Sequence, residues 1–504
     1  MSMPAEQLPT SITLADLLQG LVDAPALPIH GIASDSRLLG QGDLFLACGG
    51  ITSHGVHFVD HALAAGVAAI AYDSSTADAP ALEIDVPLIA VPHLANHLGT
   101  IAKRFHADPS ATLKTVGVTG TNGKTTVAWL VTECLERLKQ PCGYVGTLGH
   151  GLGEIAGHEG LTTPGTIELH ADLAGFRDAG AEFAAIEVSS HALAQQRIDG
   201  VAFNTVMFTN LSRDHLDYHG DMQSYGATKA RLFTEYPALH RIINLDSEYG
   251  SELAARCGQD VVTVSTNFDR VSNGRPYVFV RSVVANAGGS QIKVSTSWGD
   301  GAFELPLPGD FNVANAALVL AFLLVQGTPL EMACEVLGTI DAPPGRMQRV
   351  AAPDGTPAVY VDYAHTPDAL NLALQALRSH CKGRLWCVFG CGGERDVGKR
   401  PQMGRIAERR ADRAVVTNDN PRAESPAKII AEIMAGIARP ERATVIEDRA
   451  AAIAWAIQNA DPRDTILIAG KGHENYQLIG GERRDFADYG AAAVNLAAAA
   501  DTRA

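Results

Sequence analysis

The sequence predicts an α/β protein of three domains. These are a small α/β N-terminal domain, a central P-loop-type domain whose parallel sheet has a small antiparallel part, and a C-terminal Rossmann-like, doubly wound domain. Three observations predict this class. Short apolar runs alternate with helical segments along most of the 504 residues, a glycine-rich turn joins one strand to one helix, and five apolar strands separated by helices fill the last third of the chain.

Composition excludes several classes of protein. With 46% hydrophobic and 19% charged residues, and with no apolar run or leader pattern of membrane or secretory type, we expect a cytoplasmic protein without membrane insertion. The net charge of −16 argues against nucleic acid as a partner. The eight cysteines are scattered, and Cys387 and Cys391 lack a Cys-x-x-Cys spacing, so we expect reduced thiols.

The N-terminal domain is predicted to span residues 1–92. Gly42–Ala47 and Val67–Tyr72 are apolar and indicate strands, and His57–Ala65 indicates a helix between them. The polar segment Ser34–Arg37 precedes the first of these strands, where its spacing fits either a turn or a helix cap. Val91-Pro92 ends the last strand, and a helix over His93–His106 is expected next.

The central domain, predicted over residues 93–342, opens with a strand, a phosphate loop and a helix. Thr115–Val118 is a short apolar strand, and Lys124–Leu138 has a helical pattern. Between them, Gly120 and Gly123 leave backbone amides free to wrap phosphate oxygens at a helix N-terminus. Lys124 can neutralise the outer phosphates, and the hydroxyl of Thr125 can ligate magnesium.

One glycine of this loop departs from the common phosphate-loop spacing. Gly117 lies six positions before Gly123, whereas the usual pattern has five. A tight connection without a ligand is the alternative interpretation of such a turn. The Gly-Lys-Thr-Thr sequence after a clean strand favours binding of ATP or GTP.

Further β-α units follow the phosphate loop. The strand Phe183–Glu187 ends in a carboxylate, where nucleotide enzymes place a magnesium ligand or a group that orients water; pairing with a surface cation is the alternative. The strand Thr205–Thr209 runs into Asn210–Gly220, a loop dense in groups that bind metals and anions. The helix Met222–Thr234 carries Lys229. Between Tyr277 and Leu307, strands without helices predict the antiparallel part, and two helices then lead to a Pro-Pro-Gly linker.

The C-terminal domain, predicted over residues 343–504, has a functional loop after each strand. Open parallel sheets bind ligands outside the carboxyl ends of their strands. The strands are Val359–Val361, Leu385–Phe389, Ala414–Thr417, Ala443–Ile446 and Thr465–Ala469. Their loops offer Arg and Asp groups that suit a zwitterion and contain no second phosphate loop, so this domain should hold a ligand other than the nucleotide.

Four motifs together resemble the Mur ligases, in particular the diaminopimelate-adding members, over essentially all three domains. They are G-x-T-G-T-N-G-K-T-T at 117–126, N-L-S-R-D-H-L-D-Y-H-G at 210–220, D-Y-A-H-T-P at 362–367 and D-N-P-R at 419–422. The displaced first glycine is normal in that family. The resemblance implies an ATP-dependent amide ligase of peptidoglycan synthesis that acts on small molecules, and we expect a monomer.

The implied reaction joins meso-2,6-diaminopimelate to UDP-N-acetylmuramoyl-L-alanyl-D-glutamate. ATP phosphorylates the substrate carboxylate, and the incoming amine attacks the acyl phosphate and releases phosphate. A carboxylate is a poor electrophile, and phosphorylation converts one of its oxygens into a good leaving group. Catalysis then depends on positioning the substrates and on neutralising phosphate charge. Magnesium is the implied cofactor and ATP the co-substrate.

The resemblance also implies nucleotide, metal and catalytic residues. Those for ATP are Gly120, Thr121, Asn122, Gly123, Lys124, Thr125, Thr126, Asn312, Arg346 and Asp362. The metal ligands would be Thr125, Glu187, His215 and Lys229 as a carbamate, and the catalytic residues Lys124, His215 and Lys229. A carbamate presents oxygens to divalent metals, which would repel a bare ammonium. An ammonium of Lys229 that contacts phosphate or a surface carboxylate is the alternative.

The implied substrate sites complete the set. For the UDP-sugar peptide the positions are Ser34, Ser36, Thr162, Thr163, Ser189, Gln195 and Arg197, with the loop Gly50–His54 at a nucleotide-contacting position. For diaminopimelate they are Arg395, Asp419, Asn420, Pro421, Arg422, Gly470 and Glu474. The distal carboxylate of diaminopimelate, which lysine lacks, calls for the guanidinium of Arg422, while Asp419 and Glu474 can receive the distal ammonium.

Other functions remain open at this level. Within the superfamily they are a lysine-adding or alanyl-alanine-adding Mur ligase and a folylpolyglutamate synthase, which share the phosphate loop but should not need Asp-Asn-Pro-Arg. From another class, a binding protein closed by ATP without chemistry would have no use for Glu187, His215 and Lys229 together.

Overall fold

The computed structural model describes residues 12–50, 53–78, 84–157, 160–270, 274–286 and 288–503. Ile51 and Thr52, at the centre of the expected Gly50–His54 loop, lie outside these ranges. A search of the described helices finds none with the length and apolar character needed to cross a bilayer.

The strands, in chain order, are β1 Ile32–Ala33, β2 Leu44–Ala47, β3 Ala69–Asp73, β4 Leu88–Val91, β5 Lys114–Thr119, β6 Cys142–Gly146, β7 Gly149–Leu152, β8 Phe183–Glu187, β9 Phe203–Phe208, β10 Ala238–Asn244, β11 Val262–Ser265, β12 Tyr277–Asn286, β13 Gly289–Thr296, β14 Gly299–Leu305, β15 Gln348–Arg349, β16 Ala358–Asp362, β17 Leu385–Phe389, β18 Arg413–Val416, β19 Ala443–Val445, β20 Thr465–Ala469, β21 Tyr476–Ile479 and β22 Glu482–Asp485.

The α-helices are α1 Leu14–Leu18, α2 Val59–Ala64, α3 Leu98–Phe105, α4 Lys124–Arg137, α5 Thr166–Asp178, α6 Ser190–Ala194, α7 Leu216–His219, α8 Met222–Thr234, α9 Glu248–Arg256, α10 Asp310–Val325, α11 Leu330–Leu337, α12 Pro367–Arg378, α13 Lys399–Arg410, α14 Pro426–Met434, α15 Arg449–Asn459 and α16 Asp488–Arg503. Short 3₁₀ turns include Ser36–Leu38, Gly55–Phe58 and Leu94–His97.

The chain forms two compact units. The first contains Met1–Gly120, Lys139–Met207 and Arg213–Arg241, and the second contains Thr121–Leu138, Phe208–Ser212 and Ile242–Ala504. The predicted domain boundaries after residues 92 and 342 stay predictions.

In the first unit, β1 to β4 form a parallel sheet in sequential order. Apolar residues of α1 and α3 pack on one face, and those of α2 pack on the other. The same unit has β5 paired in parallel with β8, β8 with β6, and β7 antiparallel to β6. The strands β5, β8 and β6 are almost wholly buried, as expected for parallel strands with both faces covered.

In the second unit, β11 pairs in parallel with both β10 and β12, and β12, β13 and β14 are antiparallel. The predicted antiparallel part is therefore confirmed. Helix α10 is buried along nearly its whole length, which explains its almost continuous apolar sequence.

The last part of the second unit has the strand order β15-β16-β20-β17-β18-β19. All its neighbours are parallel except β15 and β16. One apolar cluster joins the sheet to α12, α13 and α14, and another joins its opposite face to α15 and α16. This is the predicted doubly wound arrangement, so the loops after its parallel strands share one edge of the sheet.

Several local predictions need correction. The expected helix over His93–His106 begins as a 3₁₀ turn at Leu94 and becomes α-helical only at Leu98. His93 itself lies outside the helix, because it adopts a left-handed φ of 54° with its amide held by Asp73. The expected helix His57–Ala65 likewise divides at Phe58. At Ser34–Arg37 the helix-cap alternative is confirmed, since the Asp35 side chain accepts a hydrogen bond from Arg37 N at 2.9 Å.

Candidate active site

Residues 121–123 of the phosphate loop lie in the second unit and are held by the segment that follows β9. Asn122 N donates to Asn210 Oδ1 at 3.0 Å, and Thr121 N donates to the Asn210 carbonyl at 2.8 Å. The hydroxyl of Thr209 donates to the carbonyl of Asn122 at 2.6 Å. Hydrogen bonds between two adjacent turns thus fix the loop backbone before α4 begins.

The start of α4 has the geometry expected of an anion site. Gly123 adopts a φ of 86°, and a Cβ there would lie 2.6 Å from Asn315 Oδ1, so glycine is required on two grounds. Lys124 Nζ donates to the carbonyl of Thr121 at 2.9 Å, which places its charge over the loop. Thr125 and Thr126 follow in the first turn and are buried. This arrangement fits phosphate oxygens at a helix N-terminus.

The other predicted nucleotide residues fall into two places within the same unit. Asn312, 2% exposed, accepts a hydrogen bond from Asn315, the residue that lies beside Gly123. Arg346 stacks its guanidinium 4.6 Å from the Tyr363 ring centre. Burial raises the pKa of Asp362, and Arg346 opposes that rise, so these two predicted residues interact.

Glu187, in the first unit, is fully buried. Its carboxylate accepts hydrogen bonds from the Tyr144 hydroxyl at 2.6 Å, from Thr147 N at 2.8 Å and from Thr147 Oγ1 at 3.2 Å. Its full burial argues against the alternative explanation, a pairing with a surface cation. Tyr144 and Thr147 were not predicted; both follow from the pairing of β6 with β8, which single-strand patterns do not reveal.

Five of the predicted UDP-sugar-peptide residues form a hydrogen-bonded group next to Glu187. Thr163 donates to the Glu187 carbonyl at 2.6 Å and lies 3.4 Å from Ser189 Oγ. Arg197 donates to the Thr163 carbonyl at 3.1 Å and to Gln195 Oε1 at 2.5 Å. The hydroxyl of Thr162 lies 3.2 Å from the hydroxyl of Thr147, which is itself bonded to Glu187.

The two N-terminal members of that predicted set lie elsewhere in the first unit. Ser34 is exposed and Ser36 is buried in the turn after β1. Among the described residues, no hydrogen bond joins either serine to the central group. Their role in substrate binding stays a prediction.

A cluster of histidines and tyrosines surrounds His215 in the first unit. The ring of His215 lies 4.9 Å from that of His191, and its Nε2 lies 3.4 Å from Asp214 Oδ2. Burial, followed by neighbouring cationic groups, lowers the pKa of His191 and of His219. A neutral imidazole keeps one nitrogen lone pair, so His191 and His219 can accept hydrogen bonds.

Lys229 is 1% exposed and belongs to the same unit. Its Nζ donates to the Gly120 carbonyl at 2.8 Å and lies 4.7 Å from the Tyr225 ring centre. Its burial argues against contact with a surface carboxylate, and an ammonium that contacts phosphate stays an alternative. Among the described residues, no group of three or more His, Cys, Asp and Glu side chains could hold a metal ion, and the expected metal ligands stay predictions.

The predicted diaminopimelate residues surround the carboxyl ends of β17, β18 and β20. Arg422 Nη1 donates to the Gly393 carbonyl at 2.7 Å, and its backbone, at a φ of 54°, is bonded to Leu478 and Gly480 of the β21–β22 hairpin. Within the described residues the Arg422 guanidinium makes no other hydrogen bond. Its Nε and Nη2 therefore form an edge that suits a carboxylate.

The Glu474 carboxylate accepts hydrogen bonds from described residues through only one of its two oxygens. Its Oε2 accepts from Asn420 Nδ2 at 2.8 Å and from Lys471 Nζ at 3.1 Å, whereas no described residue bonds to its Oε1. Lys471 is fully buried and lies 3.9 Å from Asp419 Oδ1. The prediction missed Lys471, although its position next to Gly470 was a usable signal.

The remaining members differ in position. Gly470 adopts a φ of 119°, and a Cβ there would lie 2.5 Å from Asp419 Oδ2. Pro421 is buried, and its carbonyl oxygen lies against Gly393. Arg395 is exposed, and no described residue accepts a hydrogen bond from its side chain.

Three family models match the chain. They are the Mur ligase family catalytic domain at residues 28–106, the Mur ligase middle domain at 118–323, and the Mur ligase glutamate ligase domain at 345–472. The chain belongs to the Mur ligase family. The resemblance predicted from the four motifs is thereby confirmed.

Individual Mur ligases are similar over nearly the whole chain. A relative from Xanthomonas campestris pv. campestris (strain 8004), named UDP-N-acetylmuramoyl-L-alanyl-D-glutamate--2,6-diaminopimelate ligase, is 45% identical over 96% of this chain and 97% of its own. A solved structure of a ligase with that name has a TM-score of 0.73 at 32% identity and covers 98% of this chain and 99% of its own. A MurF ligase from Thermotoga maritima, solved in complex with ADP, has a TM-score of 0.62 at 16% identity, covers 94% of this chain and 99% of its own, and shows the common fold.

Proposed function

We propose that this Mur ligase is an ATP-dependent, ADP-forming amide ligase that adds meso-2,6-diaminopimelate to UDP-N-acetylmuramoyl-L-alanyl-D-glutamate in peptidoglycan synthesis. The observation that carries the proposal is the 45% identity, over 96% of the chain, to a relative with that name. The guanidinium of Arg422, which among the described residues is bonded only through Nη1, adds a physical reason for selecting diaminopimelate over lysine.

The phosphate loop binds ATP in this proposal. The amides at the start of α4 receive phosphate oxygens, and Lys124, already over the loop, neutralises their charge. ADP in the Thermotoga maritima MurF supports nucleotide use on this fold. Asn312, Arg346 and Asp362 are the proposed contacts to the remainder of the nucleotide.

The substrate carboxylate attacks the γ-phosphorus of ATP, and ADP leaves. The amine of diaminopimelate then attacks the carbonyl of the acyl phosphate, an amide bond forms, and phosphate leaves. Thr162, Thr163, Ser189, Gln195 and Arg197 form a polar group that can orient the anionic peptide end of the substrate. Orientation of this kind contributes much of the rate of a two-substrate reaction.

Lys229 has the burial expected of a modified side chain. Addition of CO₂ to its neutral amine gives a carbamate and a proton, and the carbamate nitrogen keeps one N–H for the Gly120 carbonyl. Burial of a bare ammonium is costly, whereas a carbamate is an anion that a metal ion can stabilise.

Magnesium fits most of the proposed ligands. The Thr125 hydroxyl, the Glu187 carboxylate and a Lys229 carbamate supply the oxygens that magnesium prefers, while His215 supplies a nitrogen. When bound, magnesium supplies positive charge that neutralises phosphate oxygens. The buried Glu187, fixed by three hydrogen bonds, is chemically suited to hold such an ion.

Specificity is assigned to the pocket after β18 and β20. The Nε–Nη2 edge of Arg422 receives the distal carboxylate of diaminopimelate, and Glu474 Oε1 receives the distal ammonium. L-Lysine has only the ammonium and would leave the guanidinium unpaired. Loss of a charged contact of this type costs about 2–5 kcal/mol, which is enough to separate the two amino acids.

The test is phosphate release from ATP with UDP-N-acetylmuramoyl-L-alanyl-D-glutamate and either meso-diaminopimelate or L-lysine, on wild type and on Arg422→Ala. We expect turnover with diaminopimelate and its loss in the variant. Equal use of lysine would overturn the specificity, and absence of phosphate release with either amino acid would overturn the reaction. The lysine-adding alternative predicts the reverse preference.

A further inference from the structure

Arg400 of α13 is fully buried and makes contacts that no step of the proposed reaction explains. Its Nη1 and Nη2 each lie 3.0 Å from one oxygen of Glu424, a bidentate ion pair. Nη1 also contacts Glu432 Oε2 at 2.5 Å. The remaining bond runs from Nη2 to the Gly392 carbonyl at 3.1 Å, in the loop after β17.

That loop touches the specificity group directly. The carbonyl of Gly393 accepts the hydrogen bond from Arg422, and the amide of Gly393 donates to the Asn420 carbonyl at 2.9 Å. The next amide, of Glu394, donates to Glu424. Gly392, Gly393 and Glu394 are therefore each bonded either to Arg400, to Glu424 or to the Asp-Asn-Pro-Arg segment.

The glycines leave this loop little freedom to move as a unit. A Cβ on Gly393 would overlap the Pro421 carbonyl, and one on Gly392 would lie 3.0 Å from Arg422 Nη1. Such close backbone approach means that a small displacement of the loop would displace the guanidinium of Arg422. The anchors of the loop thus set the direction of the Nε–Nη2 edge.

We infer that Arg400 is a positioning residue for the amino-acid site, acting through Glu424 and the Gly392–Glu394 loop to orient the guanidinium of Arg422. The inference rests on the proposed function. Arg400 does not touch the amino acid; it fixes the groups that fix Arg422. Its buried Nε has no hydrogen-bond partner among the described residues, so its guanidinium is bonded only through Nη1 and Nη2, the atoms that face Glu424, Glu432 and Gly392.

Electrostatics supports the same role. The Arg400 guanidinium and the Glu394 amide hold the pKa of Glu424 at about 2, so this carboxylate stays charged at every working pH. A charged Glu424 keeps both its bidentate bond to Arg400 and its bond to the loop. Lysine at position 400 would keep the charge but could not make the bidentate pair and reach Gly392 together.

The test compares Arg400→Lys and Glu424→Ala with Glu432→Gln. Glu432 contacts Arg400 but has no bond to the loop, so its variant perturbs the same buried arginine without releasing Gly392–Glu394. For Arg400→Lys and Glu424→Ala we expect a rise in KM for diaminopimelate on the order of ten-fold. We also expect a smaller preference for diaminopimelate over lysine, with KM for ATP and for the UDP-sugar peptide unchanged. For Glu432→Gln we expect wild-type KM values and wild-type preference.

The outcomes separate the inference from the function on which it rests. If wild type releases no phosphate with diaminopimelate, the proposed function fails and the inference fails with it. If wild type is active and the two variants keep its KM and its amino-acid preference, the inference alone is overturned. A parallel rise of all three KM values, or the same effect in Glu432→Gln, would also overturn it, because a general loss of packing would explain that result. If Arg400→Lys does not fold, the kinetics of Glu424→Ala, at a side chain 22% exposed, decide between these outcomes.

Discussion

Lys471 Nζ lies 3.1 Å from Glu474 Oε2, with the lysine side chain fully buried and the glutamate one-fifth exposed. Asp419 is the second carboxylate near this ammonium, at 3.9 Å. The two carboxylates, Asp419 and Glu474, are balanced in formal charge by two cations, Lys471 and Arg422, while Arg395 is exposed. The distal end of diaminopimelate, the proposed ligand, carries one carboxylate and one ammonium, so these four side chains offer a partner of opposite charge to each of its groups.

Lys471→Met should therefore damage both stability and amino-acid binding. Removal of one partner leaves buried carboxylates uncompensated, which we expect to cost about 2–3 kcal/mol, less than for a fully buried pair because Glu474 is partly exposed. KM for diaminopimelate should rise, since Glu474 loses one of its two anchors. Chemical denaturation and steady-state kinetics check the two effects. Lys382→Met, at an exposed lysine of the same domain, should change neither.

Lys229→Arg tests the proposed carbamate. Arginine keeps a positive charge and its protonated guanidinium does not add CO₂, so we expect kcat to fall by about 10²–10³-fold. With ¹³C-labelled bicarbonate, the wild-type protein should give a carbamate carbon signal by NMR that the variant lacks. Lys114→Arg, at an exposed lysine of β5, should keep both activity and the signal. A wild-type spectrum without the signal would contradict the modification.

Tyr144→Phe tests the support of Glu187. The variant removes a 2.6 Å hydrogen bond to a fully buried carboxylate, which we expect to lower the free energy of unfolding by about 1–3 kcal/mol. Activity should fall as well, because Glu187 is a proposed metal ligand. Tyr360→Phe is the matched control, since Tyr360 is 4% exposed and its hydroxyl makes no hydrogen bond with the described residues. Equal losses of stability and activity in the two variants would show that the hydrogen bond from Tyr144 to Glu187 contributes no more than any buried tyrosine hydroxyl.

Much of the fold follows from local pattern, because buried parallel strands and long helices carry strong signals. The strands Phe183–Glu187, Leu385–Phe389 and Thr465–Ala469 and the helix Met222–Thr234 have the bounds that the sequence predicts. The sequence analysis missed the hairpin of β21 and β22. Its second strand contains the consecutive charged residues Glu482, Arg483 and Arg484 and so lacks the alternation of apolar and polar residues that predicts a strand. The two-residue strand β1 is too short to show any period.

The candidate site was predictable only to the extent that its residues occur in motifs. Arg422 was predicted from the Asp-Asn-Pro-Arg motif and Glu474 from the family resemblance, whereas Lys471 and Arg400 were not predicted, because their contacts join loops and helices that are distant in the sequence. Such contacts depend on strand order, and a single sequence does not contain that order. The roles assigned to individual site residues, the domain boundaries and the monomeric state stay predictions.

His473 should make stability depend on pH. Burial, and next the charge of Arg346, lowers the pKa of its imidazole to about 4, and its Nδ1 has no partner among the described residues. The unfolded state, with an ordinary histidine pKa of about 6.5, binds more protons between pH 6.5 and 4. The contribution of His473 is therefore fully present above pH 6.5 and is lost as the pH falls through that window.

The measurement is the free energy of unfolding at pH 7.5 and at pH 5.0 for wild type and His473→Gln. We expect wild type to lose more stability than the variant over this interval, because glutamine takes up no proton. The variant should keep part of the dependence, since burial also lowers the pKa of His106 to about 4. His106→Gln combined with His473→Gln should flatten the profile further. Parallel losses in all three proteins would show that neither imidazole is protonated on unfolding in this range.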